Sequence, residues 1–188
     1  RANYDYNNKY LLTASIRTDG SSRFGPDRKW GVFPSVSVAW KINEESFMKD
    51  FSDIDLLKVR LSYGSTGNNA IGNYSWQSNL QRANYLLGLS ETPAIGYYAS
   101  NIGNPELSWE QTNSFDIGVD VSFMHRFSAS FDYYGKSTEG LLLNIPIPTM
   151  TGFATMLQNY GGIENTGYEI QLASKVLVRK FRWSNDIN

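Results

Sequence analysis

The 188-residue sequence has no cysteine, a single histidine and almost no net charge. Without cysteine, neither a disulfide framework nor thiolate chemistry can be built. A formal net charge of −1 gives no electrostatic reason to expect nucleic acid as a partner. No stretch approaches the roughly 20 apolar residues that a membrane-spanning helix needs. These absences leave open a protein built from β-strands, whose alternating residues hide their hydrophobicity from any window average.

Aromatic residues are abundant, at 14% of the sequence, and they occur in segments with a period of two. Between Trp109 and Phe123 most odd positions are apolar, whereas the even positions are polar or glycine, and Phe127–Tyr133 repeats the pattern. Successive side chains of a strand point to opposite faces, so each segment has one apolar and one polar face. The short linker Met124–Arg126 predicts a hairpin between them. Six further strands are expected at Ala2–Tyr6, Tyr10–Arg17, Ser35–Ile42, Leu57–Tyr63, Tyr168–Leu172 and Phe181–Ile187.

The connections between the expected strands alternate between short and long. The short ones are Asn7–Lys9, Met124–Arg126 and roughly Ser174–Arg179; the long ones are Asp19–Gly31, Gly64–Ser108 and Ser137–Gly167. Asn43–Asp55 is of middle length, and Glu44–Phe51 within it could form a short helix. Up-and-down strands place every long loop on one side, as in a transmembrane barrel. The sequence thus predicts an all-β fold of antiparallel strands that form part of a large outer-membrane β-barrel, with long extracellular loops and short periplasmic turns.

The alternative is a soluble antiparallel sandwich, in which alternation means core on one side and solvent on the other. Two features count against it. The apolar faces run for eight or more residues, which suits a bilayer crossing of about 9–11 residues. Aromatic residues also gather near the strand ends, as an interfacial girdle requires, namely Tyr10, Trp30, Phe33, Tyr63, Trp109, Phe123, Phe127 and Tyr133. The polar faces carry charges that suit a hydrated lumen, at Lys58, Arg60, Glu110, Asp116, Asp120 and Asp132.

Several long motifs, in order along the chain, resemble the barrel of the SusC/RagA family of TonB-linked outer-membrane transporters. They are RTDGSSRFG (Arg17–Gly25) followed by Trp30 and FPSVSVAW (Phe33–Trp40), KVRLSYGSTGNNAIGNY (Lys58–Tyr74), NPELSWEQTNSFDIGVD (Asn104–Asp120), DYYGKSTEGLLLNIPIP (Asp132–Pro148) and GGIENTGYEIQL (Gly161–Leu172). The resemblance covers essentially the whole chain. Since the chain begins and ends in strand-like segments, we expect residues 1–188 to be a barrel fragment of about eight strands that lacks the plug domain and TonB box.

The resemblance implies an outer-membrane protein of Bacteroidota that imports glycans or peptides. An N-terminal plug would couple the barrel to TonB, and a SusD-like surface lipoprotein would be its partner. No cofactor is implied. The alternative is a passive porin or surface-binding barrel without energy coupling, which the presence or absence of a plug and TonB box would distinguish.

Motif residues are expected to shape the barrel and its loops rather than to contact substrate. They are Arg17, Asp19, Gly20, Arg23, Gly25, Trp30, Pro34, Gly67, Asn68, Asn104, Pro105, Trp109 and Glu110. Among them, Gly20 and Gly25 are expected to free the backbone for a tight loop, and Gly67 and Asn68 to form a turn. The two arginines, Arg17 and Arg23, are expected to pair with lumen carboxylates.

Flat aromatic side chains in the longest loop are the candidates for ligand contact, because such rings can stack on sugar faces. They are Tyr74, Trp76, Tyr85, Tyr97 and Tyr98, which could instead pack the loop on itself or against the lipoprotein. We expect no enzyme and no metal site. The single histidine, His125, lies in a short turn away from any expected cleft. The carboxylate pairs Glu44/Glu45 and Asp53/Asp55 could hold calcium but are expected to be solvated turn charges.

Overall fold

The computed structural model describes residues 1–86, 93–178 and 182–188, which are built almost entirely from antiparallel β-strands. The strands are β1 (Ala2–Tyr6), β2 (Tyr10–Gly20), β3 (Trp30–Lys41), β4 (Ile54–Asn68), β5 (Leu80–Leu86), β6 (Pro93–Ala99), β7 (Glu110–Phe123), β8 (Phe127–Glu139), β9 (Leu142–Pro146), β10 (Thr155–Asn159), β11 (Gly162–Val178) and β12 (Arg182–Ile187). Eight of them form one sheet in the order β1-β2-β3-β4-β7-β8-β11-β12. The predicted antiparallel order along the chain is therefore confirmed.

The helical content is limited to four single 3₁₀ turns in the described residues, at Pro26–Arg28, Ile42–Glu44, Ser46–Met48 and Thr149–Thr151. The helix considered for Glu44–Phe51 is therefore replaced by two shorter turns. Within the described ranges, no helix is long and apolar enough to cross a membrane.

The register of the large sheet places apolar side chains in rows on one face. One row crosses seven strands through Tyr4, Leu12, Val38, Leu61, Ile117, Tyr133 and Tyr168. The neighbouring row on the opposite face consists of Asn3, Thr13, Ser37, Ser62, Asp116, Tyr134 and Gly167. Because directly paired residues share a face, these rows confirm the period-two interpretation of β7 and β8.

The apolar face is exposed. Every member of the apolar row is between 41% and 73% accessible, and Phe24, Phe33 and Leu107 are the buried hydrophobic residues found in the described part of the chain. A sandwich would bury this face under a second sheet. The soluble-sandwich alternative is therefore wrong, and the exposed band requires an apolar environment such as lipid.

The short turns explain two of the hairpins. Asn7 and Asn8 adopt left-handed backbone conformations with φ of 52° and 56°, and Met124 and His125 do the same with φ of 52° and 55°. Two successive residues of this kind form the turn whose twist matches paired strands. The third short turn begins later than the predicted Ser174, because β11 continues to Val178. Residues 179–181 lie outside the described residues.

The long connections are more ordered than the sequence suggests. The strands β4 and β8 continue to Asn68 and Glu139, so these loops begin later than expected. The connection from β4 to β7 contains the β5–β6 hairpin, and that from β8 to β11 contains the β9–β10 hairpin. Neither hairpin was predicted from the sequence.

Candidate functional site

A network of charged side chains covers the polar face of β4, β7 and β8. The Arg60 guanidinium donates to both carboxylate oxygens of Asp120, from Nε at 2.9 Å and Nη2 at 3.0 Å. It also donates to Asp132 at 2.7 Å and lies 3.8 Å from Asp116. Lys58 forms a second ion pair with Asp120 at 2.9 Å. Three carboxylates on two strands thus share two cations from β4.

The network depends on a missing side chain at its centre. Gly118 lies between Arg60 and Asp132 in the register, so the arginine reaches across it to a strand that β4 does not contact directly. A Cβ at Gly118 would lie 2.2 Å from an Asp132 oxygen and 2.7 Å from Arg60 Nη2. Only glycine therefore leaves room for the bridge. On the polar face, the ion pairs of Arg60 join β4 to both β7 and β8. The sequence alone does not predict this connection.

A small buried core lies at the long-loop end of the sheet. The Trp109 ring packs against Phe24 and Phe33, with ring centroids 5.3 Å and 5.5 Å apart, and its Nε1–H donates to the Lys29 carbonyl at 3.0 Å. Phe24 and Leu107 are fully buried. Because these residues come from separate connections, the contacts join the β2–β3 loop to the start of β7. We call Phe24, Phe33 and Trp109 the loop core.

Trp109 and Phe33 do not belong to the aromatic girdle on the apolar face, contrary to the prediction from the sequence. Trp109 precedes β7, so strand alternation does not fix its direction, and Phe33 pairs with Arg17 on the polar face. Trp30, in contrast, is 71% exposed on the apolar face, where Pro34 also lies by strand alternation.

The motif glycines allow close contacts and do not supply left-handed turns. The Trp30 ring covers Gly20, and a Cβ at Gly20 would lie 2.8 Å from it. A Cβ at Gly25 would meet the Pro105 carbonyl oxygen at 3.0 Å, and one at Gly67 would clash with the Phe33 ring. None of the three has a positive φ. The expectation of turn glycines is therefore wrong, and both Gly67 and Asn68 lie in β4.

The polar motif residues tie neighbouring loops to the sheet. Asn104 donates to the Leu157 carbonyl at 3.0 Å, and Glu110 accepts from Asn68 at 3.0 Å and from the backbone of Leu142 at 3.2 Å. These bonds connect the β4–β7 connection with the β9–β10 hairpin, and the start of β7 with both the end of β4 and the start of β9.

The two motif arginines bind different kinds of partner. Arg17 pairs with Asp19 at 2.7 Å, as expected of a lumen carboxylate. Arg23 instead donates to the Asn69 carbonyl at 2.7 Å and to the Asn73 side chain at 3.3 Å. The expected pairing of Arg23 with a carboxylate is therefore wrong, and this arginine fastens the β2–β3 loop to the loop after β4.

The five aromatic residues proposed for ligand contact do not form one surface. Tyr85 and Tyr98 lie on one face of the β5–β6 hairpin, whereas Tyr97 lies on the other, because it pairs with Arg82. Trp76 lies near Gly25 of the β2–β3 loop. Tyr74 has a positive φ of 55° and a half-exposed ring. The structure therefore places two of the five on a common face of the hairpin.

The carboxylates at the short-turn end are occupied by protein donors. Glu45 accepts hydrogen bonds from Tyr10 Oη at 2.7 Å, Lys9 Nζ at 3.0 Å and Trp40 Nε1 at 3.2 Å. These donors, the tyrosine hydroxyl most of all, hold the pKa of Glu45 below its usual range. Asp55 accepts from the His125 backbone at 2.6 Å and contacts its imidazole ring.

Glu45 and Asp55 are therefore not the solvated turn charges expected from the sequence. Among the described residues, no cluster of three His, Asp or Glu side chains is placed to hold a metal ion.

An eight-stranded antiparallel wall with an exposed apolar face and a charged opposite face is the arrangement of a transmembrane β-barrel segment. Comparison with known proteins agrees. Residues 1–188 match the family described as TonB dependent receptor-like, beta-barrel, and the chain belongs to this family. It is part of an outer-membrane barrel, with its apolar face toward lipid and its charged face toward the lumen.

The chain is similar to TonB-dependent receptor P39 of Formosa agariphila, with 44% identity over 190 residues, covering 100% of the chain and 18% of the relative. It is 38% identical over 199 residues to the TonB-dependent receptor SusC of Bacteroides thetaiotaomicron, covering 100% of the chain and 19% of that protein. The solved RagAB peptide importer in its closed-closed state matches with a TM-score of 0.84 and 31% identity, over 98% of the chain and 21% of the matched chain. The resemblance to the SusC/RagA family is confirmed, and the chain spans about a fifth of its relatives' length.

Proposed function

We propose that this chain forms part of the barrel wall of a TonB-dependent importer that takes up glycans or peptides with a SusD-like surface lipoprotein. The observation that carries the proposal is the match to the RagAB peptide importer, with a TM-score of 0.84 over 98% of the chain. SusC, at 38% identity, gives independent support. The remainder of the receptor would supply the plug and the TonB contact.

In this function the two faces of the wall have separate roles. The apolar rows hold the wall in lipid, while the Arg60 network lines the path to be opened for the nutrient. The loop core fixes the outer rim where a surface lipoprotein would sit. The motif residues around Trp109 are structural in this proposal, because they contact one another and backbone groups of neighbouring loops.

Fewer loop aromatic residues remain candidates for nutrient contact than the sequence predicts. Tyr85 and Tyr98 remain candidates, because they share one face of the β5–β6 hairpin and are about half exposed. Tyr97 faces the other way, so a single ligand is not expected to contact all three rings.

Uptake measurements on whole cells test the proposal. Cells that carry or lack the full-length receptor would be given fluorescently labelled oligosaccharides and peptides, with and without a protonophore that collapses the inner-membrane proton gradient. Uptake that requires both the receptor and the gradient is the expected result. Uptake that requires the receptor but is insensitive to the protonophore would instead identify a passive porin.

The lipoprotein partnership has its own test. Affinity purification of the full-length receptor in mild detergent should retain a surface lipoprotein in stoichiometric amount. Recovery of the receptor alone, from cells grown on the nutrient that it imports, would contradict the partnership without affecting the import proposal.

A further inference from the structure

A cleft of about 720 Å³ lies between the loop after β4 and the β9–β10 hairpin, outside the lumen network. Its volume falls within the range of about 300–1,000 Å³ that is usual for small-molecule sites. One wall contains Asn79 and Ile102, and the other contains Asn144, Phe153 and Met156. None of the five aromatic residues singled out in the sequence lines this cleft.

The lining of the cleft is polar but uncharged. No Asp, Glu, Lys, Arg or His side chain is among its fifteen lining residues. In contrast, a second cleft, on the lumen face, is lined by Arg60 together with Asp116, Asp132, Lys136 and Glu169. The two clefts of the same chain therefore differ in charge: the one beside Arg60 has charged side chains in its lining, and the one beside Asn144 has none. A charged ligand would lose hydration there without gaining an ion pair.

The neutral lining suits a ligand rich in hydroxyl groups. Asparagine amides both donate and accept hydrogen bonds, which matches hydroxyls that do the same. Phe153 and Met156 offer apolar surface beside these amides. A neutral sugar has the same two parts, since its ring faces are apolar and its edges carry hydroxyls. Free peptides carry charged termini, which this lining does not complement.

The structure around the cleft holds its walls in fixed positions. Asn101 accepts from the Asn79 backbone at 2.8 Å and donates to the Gln77 carbonyl at 2.9 Å. On the other wall, Asn104 donates to the Leu157 carbonyl at 3.0 Å. The side-chain amides of Asn79 and Asn144 take no part in these bonds. Asn144 can therefore bind a ligand without breaking a contact that holds the loops.

We propose that this cleft is a binding subsite for neutral oligosaccharide, with Asn144 hydrogen-bonding hydroxyl groups and Phe153 covering a sugar face. The site favours neutral over charged ligands, because its lining contains no charged side chain that could pair with a sulfate, a carboxylate or a peptide terminus. This inference rests on the proposed import function and adds to it the location and charge class of one contact with the nutrient.

Binding of defined glycans to the full-length receptor in detergent tests the subsite. A glycan array of neutral, sulfated and carboxylated oligosaccharides, together with short peptides, would first rank the ligands. Calorimetry with the best neutral oligosaccharide would then compare Asn144→Ala and Phe153→Ala with two control variants from the same loops, Asn84→Ala and Tyr160→Ala. Each cleft variant should weaken binding by about tenfold, as expected for a lost hydrogen bond or ring contact. The controls should stay within about twofold of the parent.

Three results would overturn the subsite: a charged glycan or a peptide as the strongest ligand, no binding to any neutral glycan, or equal affinities for cleft and control variants. Uptake by whole cells separates this failure from failure of the import function. If gradient-dependent uptake persists while the cleft variants bind normally, the nutrient contacts another part of the receptor. If uptake never requires the receptor, the import function itself is wrong.

Discussion

Replacing Arg60 with methionine should destabilise the wall more than any other single charge removal on its lumen face. The substitution keeps most of the aliphatic stem but removes the bonds to Asp120 at 2.9 and 3.0 Å and to Asp132 at 2.7 Å. It also leaves Asp116, Asp120 and Asp132 near one another, with Lys58 as the remaining direct partner of Asp120. Both effects act in the same direction.

The size of the loss can be bounded. Breaking a fully buried ion pair costs about 3–5 kcal/mol, whereas an exposed pair contributes about 0.2–1 kcal/mol. The side chains of Arg60 and its three carboxylate partners are 20–33% accessible, so the lumen network lies between these limits. We expect a loss of about 2–3 kcal/mol in the free energy of unfolding, reduced in 1 M salt, where the Debye length is about 3 Å.

Urea titration of the full-length receptor refolded into lipid vesicles measures this loss. Arg17→Met is the matched control, because within the described residues Arg17 has Asp19 as its single ion-pair partner, and its own side chain is 76% accessible. It should lose less than about 0.5 kcal/mol. Equal losses for Arg17→Met and Arg60→Met, or a loss at Arg60 that is the same in low and high salt, would refute the assignment of the network as a stabilising group of charges.

Three further predictions concern other parts of the wall. Ile117→Arg, on the lipid face, should cost about 2–4 kcal/mol in vesicle refolding, whereas Ser62→Arg, at the same depth on the lumen face, should cost under about 1 kcal/mol; equal costs would mean that the apolar row does not face lipid. Asn104→Ala should remove the bond to Leu157 and cost about 1–3 kcal/mol, and limited proteolysis should show faster cleavage of the outer loops; an unchanged cleavage rate would contradict the role of Asn104. Met124→Asn should raise the midpoint of urea unfolding, because asparagine tolerates the φ of 52° better than methionine; a lowered midpoint would show that the Met124 side chain has a packing role.

The register of the wall could be predicted from the sequence because one of its faces is apolar. Shifting β7 by one residue would move Ile117 to the lumen and Asp116 into lipid, so a single register satisfies both environments. The same logic fails where the strands leave the membrane. Trp109 fits the alternation of the strand that follows it, yet it lies before β7 and turns into the loop core.

The site itself was harder to predict than the fold. The charges of the lumen network are visible in the sequence, but their connection through Arg60 requires the register of three strands and the missing side chain at Gly118. The cleft beside Asn144 is formed by two connections that the sequence predicts only as long loops. Its lining residues have no periodic pattern, because each wall is shaped by contacts between segments that are far apart in the chain.

The composition of the loop core sets an order of assembly for the receptor. Phe24 and Phe33 belong to the region around the β2–β3 connection, whereas Trp109 is more than 70 residues further along the chain. We expect them to meet after β4 has joined β3 to β7, because β4 lies between these two strands in the sheet. Closing such a distant contact carries an entropic cost that local hairpins avoid. The extracellular rim is therefore a late product of folding, and a receptor stalled during insertion would display unfinished loops at the cell surface.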